Sequence, residues 1–154
     1  MQALTNEIRL TARLIDSLYV EAMVLADEVR AYFDEHGRTE RDALPPLQRI
    51  SFSCESLKVT TRLMHVIAWL LTRRAVEHGE ISVAQARSPS RRLGLAADSD
   101  EDTFAMLPES ARKFIEASRD LYTRVGRLDQ DIDQPMMAVL SPALGLLNRL
   151  ERAF

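Results

Sequence analysis

The chain has 154 residues, of which 46% are hydrophobic and 28% charged, and it carries a formal charge of −3. That length and balance fit one globular domain with its own core and exclude a disordered chain. A negative charge offers no field to hold nucleic acid, and the single cysteine, Cys54, excludes an intrachain disulfide and fits a reducing, cytoplasmic compartment.

Leu, Ala, Arg and Glu dominate the chain while Gly and Pro number only 5 and 6, a composition that favours helices. The opening MQALTNEIRL has no signal-peptide apolar centre, and the longest apolar run, Val66 to Leu71, is too short to span a bilayer. Neither export nor a membrane partner is therefore expected.

In the first segment Leu4, Ile8, Thr11, Ile15, Leu18, Ala22, Leu25, Val29 and Tyr32 recur at alternating spacings of four and three. Such spacing draws one stripe along a helix over about 4–36. Gly37 follows where a left-handed C-terminal cap is expected, with His36 in the last turn. The short polar connection from Arg38 to Leu44 turns the chain back antiparallel.

Pro45 and Pro46 suit a first helical turn, where no N–H is needed. The second segment, about 46–78 and ending before Gly79, carries Leu47, Ile50, Cys54, Leu57, Thr61, Met64, Ala68, Leu71 and Ala75 as its core stripe. At 1.5 Å per residue it is roughly 50 Å long. Ser82 is placed to cap a short helix through Arg87. RSPSRRLGLAADSDED follows, basic then acidic and poor in apolar residues, which reads as a mobile loop over about 88–104.

The third segment, about 107–133, repeats the pattern with Leu107, Ala111, Phe114, Ser118, Leu121, Val125, Leu128 and Ile132, bounded by Pro108 and Pro135. Glu109 with Lys113, and Asp120 with Arg124, form acid-before-base pairs four apart. Gly126 costs about 1 kcal/mol against alanine inside such a helix. The C-terminal segment 136–154 is rich in Met and Leu, and Ser141-Pro142 suits the start of another short helix. Together the stripes predict a single all-α domain: an antiparallel three-helix bundle of long helices, with short helices in the loop and the C-terminal segment.

Catalytic chemistry is hard to place on this chain. No stripe carries a carboxylate and Glu-x-x-His does not occur, so the pattern of a di-metal bundle is missing and no metal or other cofactor is expected. Gly-rich phosphate loops, Gly-x-Ser-x-Gly and Cys-x-x-Cys are absent as well. His65 admits a phosphotransfer reading, but Val66, Ile67, Ala68 and Trp69 follow it where a small, basic environment is wanted. Cys54 reads as a small core hydrophobe. Arg73, Arg74, Arg87, Arg91 and Arg92, with Asp98, Asp100, Glu101 and Asp102, form opposite-sign clusters suited to docking a protein partner or to a solvated surface.

The second segment carries a further seam on another face: Phe52, Val59, Leu63, Val66 and Leu70, with Trp69 and Ile67 nearby. A helix apolar on two faces has to be covered on both. Two covers are open, a second copy of the chain or the tail residues Met136, Met137, Leu140, Leu144 and Leu147.

ESLKVTTRLMHVIAWLLTRRAV, the GEISVAQAR that follows it and the preceding ALPP resemble the regulator-of-CtrA-degradation (RcdA-like) family of alphaproteobacteria, most clearly over residues 44 to 87. The resemblance implies a helical-bundle homodimer without enzymatic activity. The family's founding member is an adaptor that helps deliver cell-cycle regulators to the ClpXP protease, so ClpXP, other adaptors and substrates are the partners it implies. A phosphotransfer protein working through His65, or a structural dimer with no protease link, are the alternatives.

Overall fold

The computed structural model describes residues 2–132 together with Leu150 and Ala153. Among these residues every regular element is a helix: α1 Gln2–Asp34, α2 His36–Asp42, α3 Pro46–Glu77, α4 Val83–Ala86, α5 Glu101–Phe104 and α6 Glu109–Asp131, with a single 3-10 turn at Pro89–Arg91. The expected all-α chain with long and short helices is thus what forms. The helix expected in segment 136–154, and the tail's part in covering the second seam, lie outside the described residues.

Several boundaries follow from local chemistry. Pro46 stands in the first turn of α3. At its other end Gly79, at φ 72, takes the left-handed position, where the Gly79 N–H reaches the Val76 carbonyl and the Glu80 N–H reaches the Ala75 carbonyl. Ser82 and Gln85 close a reciprocal capping box on α4.

Gly37 departs from expectation. It is buried inside α2 rather than capping α1, because the Arg38–Leu44 connection is itself largely helical. A Cβ on Gly37 would lie 2.9 Å from the Tyr32 carbonyl oxygen, so the position demands close approach rather than a left-handed turn. The Tyr32 hydroxyl donates to Glu40 at 2.5 Å and ties α2 to α1.

The long helices have a mixed sense. Asp16 pairs with Arg74 at 3.4 Å, while the Tyr32 and Phe52 rings lie 6.5 Å apart, so α1 and α3 are antiparallel. Glu21 pairs with Arg124, and Tyr32 sits 5.3 Å from Phe114, which sets α6 antiparallel to α1. Arg62 meets Ser118 and Trp69 meets Asp129, so α6 runs parallel to α3. This corrects the fully antiparallel bundle. The chain returns along the whole length of α3 between residues 79 and 108 before α6 begins, and that crossover allows the parallel pair.

The core lies between the three long helices. It joins Ile15, Leu18, Ala22, Val29 and Tyr32 of α1 to Ala111, Ile115, Leu121 and Val125 of α6. The side chains of Leu4 and Ile8 are outside the described set, and Thr11 is exposed.

α3 supplies Phe52, Val59, Leu63, Val66, Trp69 and Leu70, each 4% exposed or less. This overturns the assignment of its two faces. The seam Phe52, Val59, Leu63, Val66 and Leu70 is the core of its own bundle and is not available as a dimer seam. The stripe expected in the core points outward instead, with Leu47 80%, Ile50 62%, Leu57 67%, Met64 63% and Leu71 47% exposed, and Cys54 and Ala68 exposed beside them.

Candidate protein-interaction face

The inner stripe of α3 reads Phe52, Glu55, Val59, Arg62, Val66, Trp69 and Arg73, at three-four spacing. Two charged groups therefore enter the core region, Glu55 at 3% and Arg62 at 2% exposure. Burial of an ionised group is tolerated only where hydrogen bonds replace water. Arg62 Nη1 donates to Ser118 Oγ at 3.2 Å, and Nη2 donates to Ser99 Oγ at 2.8 Å and to the Ala97 carbonyl at 3.1 Å. Ser99 Oγ in turn donates to Glu55 Oε2 at 2.6 Å, and Lys58 lies 3.1 Å from Oε1. Burial pulls the Arg62 pKa below the ordinary guanidinium value, against the attraction of Glu55 and Asp98.

These bonds fasten the crossover. Residues 92–104 run back along α3 and are held at successive points. Arg92 bonds the Asp129 side chain and carbonyl, Tyr122 donates to the Gly94 carbonyl at 2.6 Å, and Leu93 and Phe104 pack on the core. The stretch that reads in sequence as a loop without apolar anchors has them, and it forms a strap tied to α3 and α6.

The charges suited to docking divide accordingly. Arg92 is taken up by Asp129, and Asp98 and Glu101 each lie 3.0 Å from Arg119. Asp100 caps α5 by accepting from the Asp102 N–H, while Arg74 stacks 4.4 Å over Tyr19. Arg87, Arg91 and Asp102 are exposed, and Arg73 is half-buried beside Trp69. Most of the cluster therefore holds the strap and helix ends together, and the fold does not gather it into one patch.

His65 is half-buried under the strap. A Cβ on Gly94 would lie 2.7 Å from its Nδ1, which is sealed from solvent with no hydrogen-bond partner. Its surroundings are those of a packing contact. Cys54 stands exposed on the outer face of α3 rather than in the core.

That outer face is accessible along most of the helix. Its apolar residues fall four and three apart from Leu47 to Leu71, and beside Met64 a groove of about 290 Å³ opens against Ala26, Val29 and Phe33 of α1. Among the described residues nothing covers this stripe, which makes it the candidate contact surface. Among the described residues no helix is long and apolar enough to cross a membrane.

Fold and surface together define an all-α bundle of long and short helices with an exposed apolar stripe. The model of a family described as "Protein of unknown function (DUF1465)" matches residues 6–154, and the chain belongs to that family. The crystal structure of RcdA from Caulobacter crescentus CB15 is similar to it, at 34% identity and a TM-score of 0.64, covering 77% of this chain and 90% of that one. The chain is thus RcdA-like. No curated protein matches it significantly.

Proposed function

We propose that this protein is a nonenzymatic, cytoplasmic adaptor of regulated proteolysis that acts as a homodimer and brings cell-cycle regulators to the ClpXP protease. The observation that carries the reading is the outer stripe of α3, an apolar surface that stays exposed among the described residues. Membership of an RcdA-like family supports the link to proteolysis. An adaptor needs only to raise the local concentration of a substrate at the protease, so weak contacts on a rigid scaffold suffice. Dimerisation is assigned to the outer stripe. A two-fold axis lets its heptad-spaced residues Ile50, Leu57, Met64 and Leu71 meet the same residues of a second copy.

Reconstituted ClpXP degradation, with partner adaptors and candidate substrates, tests the adaptor. The expected result is a shortened substrate half-life on adding this protein. An unchanged half-life leaves a structural dimer without a protease link.

A further inference from the structure

The strap is bound along the seam between α3 and α6 through its own backbone. Residues 93–100 form no helix or turn, and Arg92 and Asp100 at either end are extended. Tyr122 Oη donates to the Gly94 carbonyl at 2.6 Å and accepts from the Ala96 N–H at 3.1 Å. Arg62 Nη2 donates to the Ala97 carbonyl at 3.1 Å, and the Asp100 N–H donates to Glu55 Oε1 at 3.3 Å. Main-chain groups at four positions are thus held by side chains of the two helices, as an extended peptide is held in a recognition groove.

The strap buries little apolar surface. Ser99 alone is buried among residues 93–100, Leu95 is 93% exposed, and Ala97, Asp98 and Asp100 face solvent. From the strap the core takes only the partly buried Leu93 and Phe104. Three positions set what fits the seam. A Cβ at Gly94 would lie 2.7 Å from the His65 ring, Asp98 lies 3.0 Å from Arg119, and the Ser99 hydroxyl bridges Arg62 and Glu55. Glu55 and Arg62 need these bonds because both are buried, so the seam does not stand empty. Exchange of one extended segment for another keeps the bonds that simple opening would lose.

We propose that this seam is a groove for extended peptides which the protein's own strap occupies. A partner segment with a glycine, and four positions later an acidic residue followed by serine, takes the strap's place. The strap is then an autoinhibitory ligand, held at the high local concentration of a tethered segment. Apparent affinity for a partner falls with the small fraction of molecules whose groove is open. The groove lies apart from the outer stripe of α3, so the inference goes beyond the adaptor reading and does not depend on it.

A labelled peptide of the strap sequence, RLGLAADSDED, added to the full chain tests it. Gly94→Ala presses the strap off His65, and this variant should bind the peptide about tenfold or more tightly than wild type. Asp98→Lys sets a cation beside Arg119 at a side chain 74% exposed, so it should free the groove in the same way with the fold kept. Adding Tyr122→Phe to either variant removes two hydrogen bonds to the peptide and should cost about tenfold in affinity. In the peptide itself Gly94→Val or Ser99→Val should abolish binding, while Leu95→Lys should be tolerated. Absence of binding to both variants, equal affinity for wild type, or indifference to Tyr122→Phe overturns the proposal. A rise in the oligomeric state of both variants without peptide would make a second copy the occupant and also overturn it.

Discussion

At the scale of single residues, the buried network beneath the strap is the part of the molecule least tolerant of change. Arg62→Ala removes the donors that satisfy Ser118, Ser99 and the Ala97 carbonyl, and it leaves Glu55 without its buried counter-charge. Removing one member of such a group costs about 3–5 kcal/mol, which chemical denaturation would register as a large fall in midpoint. Gly126 is the opposite case. A Cβ there would meet Leu93 Cδ2 at 3.8 Å, an ordinary contact, so Gly126→Ala should stabilise the protein by up to about 1 kcal/mol. Single residues were legible from sequence where their role is local: Ser82 as a cap and Gly79 as a helix stop follow from backbone chemistry alone. Glu55, Arg62 and Ser99 were not. Their partners across the fold lie 35 to 56 positions away, and no local spacing reveals that a Ser will bridge two buried charges.

At the scale of elements, the strap and α3 carry the main differences between sequence and structure. Both faces of α3 have three-four spacing, so periodicity alone cannot say which faces inward. The inner one contains Glu55, Arg62 and Arg73, and the outer one is unbroken by charge, which made the outer stripe look like the core. Composition misled in the same way over residues 88–104, where Arg92, Asp98 and Glu101 pair with α6. Limited proteolysis should therefore spare 92–104 in the wild type. Gly94→Ala, which drives a methyl into the His65 ring, should make that stretch an early cleavage site. Acid should loosen it as well. The Ser99 N–H, and then the Arg119 charge, hold Asp98 below its ordinary pKa, so its contribution is present above about pH 4 and is lost as pH falls through the lower folded value. Protease sensitivity of the strap, followed with an acid-active protease, should rise over that window.

At the scale of the whole molecule, the two sides of α3 differ, the inner face closing the bundle and the outer face exposed among the described residues and proposed above as the contact with a second copy. The two faces predict opposite consequences for the same kind of substitution. Leu63 is 3% exposed, and burying a Leu is worth roughly 1.5–3 kcal/mol, so a charge there should unfold the domain. Leu57, at 67%, should accept a charge with the fold of the single chain kept, the thermal midpoint falling only by what dissociation of the dimer removes. The long-helix scaffold was readable in the heptads, yet the parallel pairing of α3 with α6 was not. It depends on the crossover lying along the bundle, and the strap residues give no repeating pattern from which that path could be inferred. Sedimentation equilibrium of wild type beside Leu57→Glu, at tens of micromolar, tests the division most directly. The expected result is a dimer for the wild type and a folded monomer for Leu57→Glu, and a monomeric wild type, or a dimer that survives the substitution, would contradict it.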